Sequence, residues 1–372
     1  MERSYQVCSR CVMDTTDPEI SFDQNGVCNH CHTADKKLNS IFYTDEAKRD
    51  LELKRYVEII KESGKGKKYD CVIGLSGGVD SSYLASVVKE LGLRPLAVHI
   101  DNGWNSELAV KNIENIITRL DIDLHTHVID WEEFRDLQLS FLKASVVDLE
   151  MLSDNAIQLG VYRVARKYGV TYFVDGTNYA AESIMPGSWF YVPKYDSLNI
   201  RSIFRRFGSG RRLKTFPVAS LREYILFMYL KKFNNISLLN YVPYQKKEAQ
   251  KLLIDKFDWR DYGGKHYESR ITKFYQAYIL PQKFNIDKRK AHLSSLICSK
   301  QITREQALEE LNIPLYNAED LEVDREFFLK KLQLTETEWE QIMGAAPKPH
   351  LDFPAYYGFH LKLAKLKRKI LG

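Results

Sequence analysis

Short apolar runs alternate with helical patterns of apolar residues between positions 69 and 174 of the chain. Four runs are predicted as strands: Tyr69–Leu75, Pro95–Ile100, Leu124–Ile129 and Val170–Val174. Between them, apolar residues recur every three or four positions, as in amphipathic helices. Strands that alternate with helices predict an α/β fold with a doubly wound parallel sheet, covered by helices on both faces. Ligands of such sheets bind beyond the carboxyl ends of the strands.

The pattern differs on either side of this region. A charged helix is predicted over 45–62, with one apolar side formed by Leu51, Leu53, Val57, Ile59 and Ile60. After residue 220 the strand signal fades, and helices are predicted over 221–233, 245–256, 267–280, 303–312 and 325–333. We therefore divide the chain into an N-terminal segment 1–40, a helical linker 41–68, an α/β domain 69–220 and a helical C-terminal region 221–372.

Composition places the protein in the globular class, with 44% hydrophobic and 28% charged residues among 372. No apolar run reaches the roughly 18 residues that span a membrane, and the first residues lack the apolar core of a signal peptide. We expect a cytoplasmic protein without a membrane contact.

The net charge is only +5, and two basic groups stand out, one over 201–214 and one at Lys283, Lys288, Arg289 and Lys290. A solvated surface is the simpler interpretation of both groups.

Four of the six cysteines form two Cys-x2-Cys pairs, Cys8 with Cys11 and Cys28 with Cys31. This pattern is typical of a zinc ribbon, in which two tight turns supply four thiolates to one metal. Disulfides are the alternative, but a reducing compartment argues against them. Four protein ligands would leave no open coordination position, so we expect structural Zn²⁺ and a ribbon over 1–40. Cys71 and Cys298 lie in apolar surroundings and are predicted to be core residues.

The most informative segment follows the first predicted strand and opens a helix: Ser76, Gly77, Gly78, Val79, Asp80, Ser81 and Ser82. Backbone N–H groups at a helix N-terminus attract anions, and glycines let a phosphate approach closely. No Walker or Gly-x-Gly-x-x-Gly motif occurs. Residues 74–78 also match the Gly-x-Ser-x-Gly elbow of α/β-hydrolases, but that elbow follows several strands, whereas only the cysteine-rich segment precedes this one.

The same segment matches in full the Ser-Gly-Gly-x-Asp-Ser-Ser loop of the PP-loop ATP pyrophosphatases, which it resembles. This superfamily has the adenine nucleotide alpha-hydrolase-like fold and cleaves ATP to AMP and pyrophosphate. The resemblance implies that residues 76–82 hold pyrophosphate, with Asp80 and Ser81 in catalytic roles and Mg²⁺ as a cofactor. It also implies that Asp101 and the turn Gly176, Thr177 and Asn178 face the nucleotide.

A narrower resemblance covers roughly residues 5–310. It rests on Cys8–Thr16, the loop, Gly176–Glu182, Gly263–Ser269, Lys283–Phe284 and Asp287–Leu293, which look like the N-acetyl sugar amidotransferases of O-antigen, pseudaminic acid and legionaminic acid biosynthesis. The resemblance implies Lys288 and Lys290 as charge partners of pyrophosphate. The family's Pro-Thr-Asp-His is Leu152-Ser153-Asp154-Asn155 here, so Asp148, Glu150 and Asp154 are only candidate ligands.

Such an enzyme would adenylylate the acetamido oxygen of a nucleotide-linked N-acetyl sugar, and ammonia would then displace AMP to give an acetamidino group. The chain shows no glutaminase signature: Glu2 follows Met1, and neither Cys71 nor Cys298 lies among glycines. The resemblance therefore implies a separate glutaminase partner, similar to the glutaminase and cyclase subunits of imidazole glycerol phosphate synthase. The rival hypothesis is a tRNA-thiolating PP-loop enzyme, which would use the 201–214 segment to bind RNA.

Overall fold

A five-stranded parallel sheet forms the centre of the α/β domain. The computed structural model describes residues 4–40, 45–229, 233–262 and 269–357. The strands are β1 (Cys71–Gly74), β2 (Pro95–Asp101), β3 (Asp123–Val128), β4 (Tyr172–Asp175) and β5 (Asn234–Ser237), and their spatial order is β3-β2-β1-β4-β5. Every neighbouring pair is parallel. The predicted doubly wound sheet is confirmed.

The fifth strand lies beyond residue 220, where only helices were expected. Its sequence is Asn-Asn-Ile-Ser, and Ile236 is its one buried residue. A strand with a single apolar residue has no periodicity to detect. It is placed by pairing with β4, Tyr172 opposite Asn234 and Asp175 opposite Ser237.

Helices cover both faces of the sheet. The helices up to β4 are α1 (Asn29–Ser40), α2 (Glu46–Ser63), α3 (Val79–Glu90), α4 (Glu107–Leu120), α5 (Trp131–Ala144) and α6 (Met151–Lys167). Side chains alternate along β1, so Ile73 packs in a cluster with α3 and α4, and Val72 packs in another with α6. The apolar side predicted for α2 is wrong at Leu51 and Ile59, which are exposed. The helix is anchored mainly through Ile60.

Two helices, α7 (Tyr179–Glu182) and α8 (Ser197–Phe207), follow β4 within the α/β domain. The helices after residue 220 confirm the helical C-terminal region: α9 (Leu221–Tyr229), α10 (Lys246–Phe257), α11 (Arg270–Phe274), α12 (Leu280–Phe284), α13 (Lys288–Cys298), α14 (Arg304–Asn312), α15 (Ala318–Leu332) and α16 (Glu336–Gly344). A π-helical turn, Tyr275–Ile279, joins α11 to α12. Phe274, Phe328 and Trp339 form an aromatic contact, with ring centroids 4.7 and 5.5 Å apart. Their cluster continues onto α5 through Phe134 and Phe141.

The cysteine-rich segment packs on this C-terminal region. The Val12 N–H donates to Ser294 Oγ at 3.2 Å, and the Arg304 guanidinium donates to the carbonyls of Cys8 and Cys11 at 3.2 and 3.1 Å. Lys290 pairs with Asp14. Across the described ranges, none of the helices has the length and apolar character needed to cross a bilayer.

Candidate functional site

The loop between β1 and α3 is held in a conformation that requires glycine. Gly77 has φ +85°, and a Cβ atom there would lie 2.5 Å from the carbonyl oxygen of Ala109 in α4. Trp259 Nε1 donates to the Gly77 carbonyl at 2.9 Å. The loop therefore lies directly against α4, with its position fixed from two sides.

Three serine hydroxyls line this loop at the start of α3. Ser76 Oγ lies 3.2 Å from Ser81 Oγ and accepts from the Gly78 N–H at 3.3 Å. The Ser82 hydroxyl is buried and has no hydrogen-bond partner among the described residues. A buried hydroxyl without a partner is costly, so its position at a helix N-terminus fits an anion such as phosphate.

The hydrolase alternative receives no support from these contacts. Ser76 Oγ contacts other loop groups, and no hydrogen bond in the described part of the chain joins it to a histidine. His99 Nδ1 donates to the Leu75 carbonyl at 2.9 Å, so its Nε2 accepts from Asn105 at 3.0 Å. Burial lowers the pKa of His99 and keeps this tautomer neutral.

Asp80 faces a buried tyrosine that the sequence did not single out. The Tyr244 hydroxyl donates to the Asp80 carboxylate, and Tyr244 is only 1% exposed. Burial and the nearby carboxylate raise the pKa of Tyr244, so the phenol stays protonated. Tyr244 follows Pro243 in a short polar stretch before α10, a context with no recognisable motif.

The ends of β2 and β4 meet the loop at the carboxyl edge of the sheet. Asp101 Oδ1 accepts from the Gly103 N–H at 2.9 Å and fixes the turn after β2. Gly176 packs so closely that an added Cβ would lie 3.2 Å from the Asp80 carbonyl. Thr177 is exposed, whereas Asn178 is buried and caps α7 by accepting from the Ala181 N–H at 2.8 Å. Three strand ends thus converge as the sequence predicted.

Lys288 and Lys290 occupy different surroundings from this loop. Lys288 pairs with Glu150 and Lys290 with Asp14, and no hydrogen bond or ion pair among the described residues joins either lysine to residues 76–82. Burial raises the pKa of Glu150, but the Lys288 ammonium outweighs it and brings the value to about 2. The pyrophosphate role of these lysines stays a prediction.

A second polar cluster lies beside the first turn of α6. The Asp148 carboxylate is 1% exposed and accepts from the Met151 and Tyr191 N–H groups at 3.1 and 2.8 Å. Lys194 Nζ lies 2.6 Å from Asp148 and 3.0 Å from Asp154. Lys194 was not predicted as a site residue, because its segment carries no motif.

The two Cys-x2-Cys pairs form one buried cluster. The Sγ atoms of Cys8, Cys11, Cys28 and Cys31 all lie within 4.8 Å of one another. The separations Cys11–Cys28, Cys28–Cys31 and Cys8–Cys31 are 3.6, 3.7 and 3.9 Å. A tetrahedral zinc–thiolate site with bonds of about 2.3 Å has edges of about 3.8 Å. These residues therefore fit Zn²⁺.

The two histidines near this cluster and the two remaining cysteines have contacts of their own. His30 and His32 bond the carboxylates of Asp17 and Asp23 at 2.6 and 3.0 Å, as expected of bystanders. Cys71 is buried in β1, where burial raises the pKa of its thiol. Cys298 is also buried, but its Sγ lies 3.9 Å from Cys31 Sγ, a proximity that its sequence context did not reveal.

Comparison with known proteins identifies the C-terminal region. Residues 268–367 match a family model described as "LPS biosynthesis protein WbpG-like, C-terminal domain". The C-terminal part of this chain is thus similar to the WbpG-like C-terminal domain. This match supports the family suspected from the sequence, and the matched residues include Lys288 and Lys290. Residues 263–268 and the basic residues after Leu361 lie outside the described residues.

Two curated relatives each match less than half of the chain. The chain is 29% identical over 171 residues to an uncharacterized protein of Methanocaldococcus jannaschii, covering 45% of this chain and 58% of that protein. It is 37% identical over 75 residues to tRNA(Ile)-lysidine synthase of Chlamydia pneumoniae, 20% of this chain and 23% of that enzyme. The chain thus spans less than two thirds of either relative.

Two solved structures share features of the fold at low similarity. NH3-dependent NAD synthetase from Campylobacter jejuni is 15% identical, with a TM-score of 0.34, 73% of this chain covered and 98% of that one. NMN synthetase from Francisella tularensis is 19% identical, with a TM-score of 0.29, 57% of this chain and 87% of that one. At these values the likenesses carry no argument about function.

Proposed function

We propose that the protein is an ATP-dependent, AMP-forming amidotransferase that converts the acetamido group of a nucleotide-linked N-acetyl sugar into an acetamidino group. The complete Ser-Gly-Gly-x-Asp-Ser-Ser loop at the N-terminus of α3 carries this proposal. The WbpG-like domain supports a substrate from lipopolysaccharide biosynthesis.

The chemistry assigned to the site is electrophilic activation. The amide oxygen of the sugar attacks the α-phosphorus of ATP, the bond to pyrophosphate breaks, and an adenylylated imidate forms. Ammonia adds to the imidate carbon, the carbon–oxygen bond breaks, and AMP leaves with the former amide oxygen. The loop N–H groups and serine hydroxyls bind the departing pyrophosphate, whose negative charge the helix N-terminus stabilises.

Mg²⁺ would neutralise part of the phosphate charge in this scheme. Its preferred ligands are carboxylate and phosphate oxygens, and Asp80 at the loop and Asp101 at the end of β2 offer carboxylates on the same edge of the sheet. Tyr244 orients the Asp80 carboxylate from the protein side.

An isotope experiment tests the sequence of bonds directly. The protein is incubated with ATP, Mg²⁺, ammonium and UDP-linked N-acetyl sugars that carry oxygen-18 in the acetamido group. We expect the label in AMP and an amidine product in which NH replaces oxygen. Labelled pyrophosphate, or AMP formed without label, contradicts the proposed adenylylation. Omission of the sugar is the control for simple ATP hydrolysis.

Ammonia is the proposed nitrogen donor, delivered by a separate glutaminase with or without a cyclase-like subunit. All six cysteines are buried, so no cysteine is accessible as a glutaminase nucleophile. We expect the purified chain to use ammonium salts and not glutamine. Because free ammonia becomes more abundant as ammonium deprotonates, the rate should rise with pH toward about 9. Glutamine use by the purified chain would contradict this part of the proposal.

The rival tRNA-thiolating function has one observation in its favour, the short match to tRNA(Ile)-lysidine synthase. Thiolation through a protein persulfide requires an accessible cysteine, and the burial of all six argues against it. Co-purification with RNA, read as a raised absorbance of the nucleobases, would favour the rival.

A further inference from the structure

A cavity of about 340 Å³ lies between the start of α6 and the segment 192–195. Its lining residues are Asp154, Ile157, Gln158, Val192, Pro193, Lys194 and Tyr195. The volume falls in the range of small-molecule sites.

A hydrogen bond joins the first turn of α6 to the carboxyl edge of the sheet. Asn102, which follows β2, donates from Nδ2 to Ser153 Oγ at 3.3 Å. Ser153 precedes Asp154, and Gln158 lies one helical turn further along α6. The first turn of α6, which carries Asp154, thus contacts the turn after β2, at the edge of the sheet where ligands of parallel sheets bind.

The charged groups that line the cavity are held in place by a buried carboxylate. Asp148, almost fully buried, holds Lys194 Nζ at 2.6 Å, and Lys194 in turn lies 3.0 Å from Asp154. The Asp154 side chain is 43% exposed, so its carboxylate is accessible from the cavity. A rigid lysine therefore orients a carboxylate that a ligand can reach.

The electrostatic balance selects a neutral ligand. Asp148, Glu150 and Asp154 face Lys194 and Lys288 in this cluster, which gives a formal excess of one carboxylate over the ammonium groups. A phosphate would be repelled by this excess, whereas hydroxyl groups can donate to Asp154 and bond the amide of Gln158.

The apolar part of the lining suits one face of a sugar ring. Ile157 and Val192 are 38% and 48% exposed, and they lie with Pro193 on the same cavity. Carbohydrate rings present C–H groups on their faces and hydroxyls at their edges, so an aliphatic wall beside a carboxylate and an amide matches both features. Removing such an apolar surface from water also favours binding.

We infer that this cavity binds the pyranose ring of the acceptor sugar, with ring hydroxyls on Asp154 and Gln158. The inference rests on the proposed function for the identity of the sugar. The nucleotide and its phosphates lie outside the cavity, and the acetamido group extends toward Asp101 and the loop 76–82.

Steric closure of the cavity tests the inference. In Ile157→Trp the indole would fill the space beside Asp154, and Asp154→Asn would remove the charged acceptor. For AMP formation driven by a UDP-linked N-acetyl sugar, we expect both variants to raise the KM for the sugar at least tenfold. The KM for ATP should stay within twofold. Val323→Trp, which places the same side chain on the exposed face of α15, is the matched control and should change neither value.

A binding measurement separates this inference from the proposed function. Saturation-transfer NMR with N-acetylglucosamine, at millimolar concentration, should show ring-proton signals with the wild-type protein and Val323→Trp but not with Ile157→Trp. Equal signals in all three proteins, or an unchanged sugar KM in Ile157→Trp, would overturn the cavity assignment. Absence of AMP formation with every sugar tested would refute the proposed function, while the NMR comparison would still decide whether the cavity binds a sugar ring.

Discussion

Replacement of Gly77 by alanine tests whether the loop is held as the structure shows. The left-handed φ of +85° costs a non-glycine residue about 1–2 kcal/mol. The new Cβ would also lie 2.5 Å from the Ala109 carbonyl oxygen, a backbone atom that cannot turn aside. Overpacking of this kind adds about 1–3 kcal/mol. We expect Gly77→Ala to lower the free energy of unfolding by about 2–5 kcal/mol and to abolish AMP formation.

Gly210→Ala is the matched control. Gly210 has nearly the same φ, +83°, but an added Cβ would meet no atom within 4 Å. Both substitutions restrict the unfolded chain alike, so their difference isolates the contact with α4. Urea unfolding, analysed by linear extrapolation, should show Gly77→Ala less stable than Gly210→Ala by about 1–3 kcal/mol. Equal stability of the two variants would refute the close contact on which this reasoning depends.

Three further predictions concern metal, catalysis and pH. Cys8→Ser should reduce bound zinc, measured by elemental analysis, to less than half of the wild-type content, together with a lower melting temperature. Asp80→Asn keeps an acceptor for Tyr244, so unfolding should change little while AMP formation is lost; retained activity would remove Asp80 from the site. Burial raises the pKa of Glu133, but hydrogen bonds from the N–H groups of Phe216, Thr215 and Lys214 outweigh burial and leave the pKa below its usual value. The ionised carboxylate therefore stabilises the folded protein above about pH 4.3, and this contribution is lost as the pH falls below that value. The stability difference between wild type and Glu133→Gln should therefore be largest near neutral pH and shrink in acid; a constant difference would contradict this assignment.

The elements that the sequence predicted well are those with strong local signals. The strands β1 and β2 are apolar runs, and the loop 76–82 and the two Cys-x2-Cys pairs carry motifs whose spacing follows from their chemistry. β5 escaped detection because a four-residue polar strand is specified by its pairing with β4 rather than by its own composition.

The residues of the candidate site also divide into those that a local motif predicted and those that none did. The loop and the turns after β2 and β4 lie at one edge of the sheet, because the topology of a parallel sheet brings strand ends together, and their roles toward a nucleotide stay predictions. Tyr244 and Trp259 contact the loop from distant segments, through a hydroxyl and an indole N–H. Lys194 likewise reaches Asp154 at the start of α6 through its ammonium group. Such partners are determined by tertiary packing, which a single sequence does not encode in any local pattern.

The connection between β4 and β5 has a consequence for how acceptor specificity could change. Residues 176–233 separate two strands that are direct neighbours in the sheet, and this long excursion supplies one wall of the cavity through Val192, Pro193 and Lys194. The part of the excursion after Asn178 can therefore vary in length and composition without altering strand order or the turn that follows β4. Exchange of that part between related enzymes should transfer preference for the acceptor while the nucleotide half of the reaction is retained, which makes the two halves separable in evolution and in design.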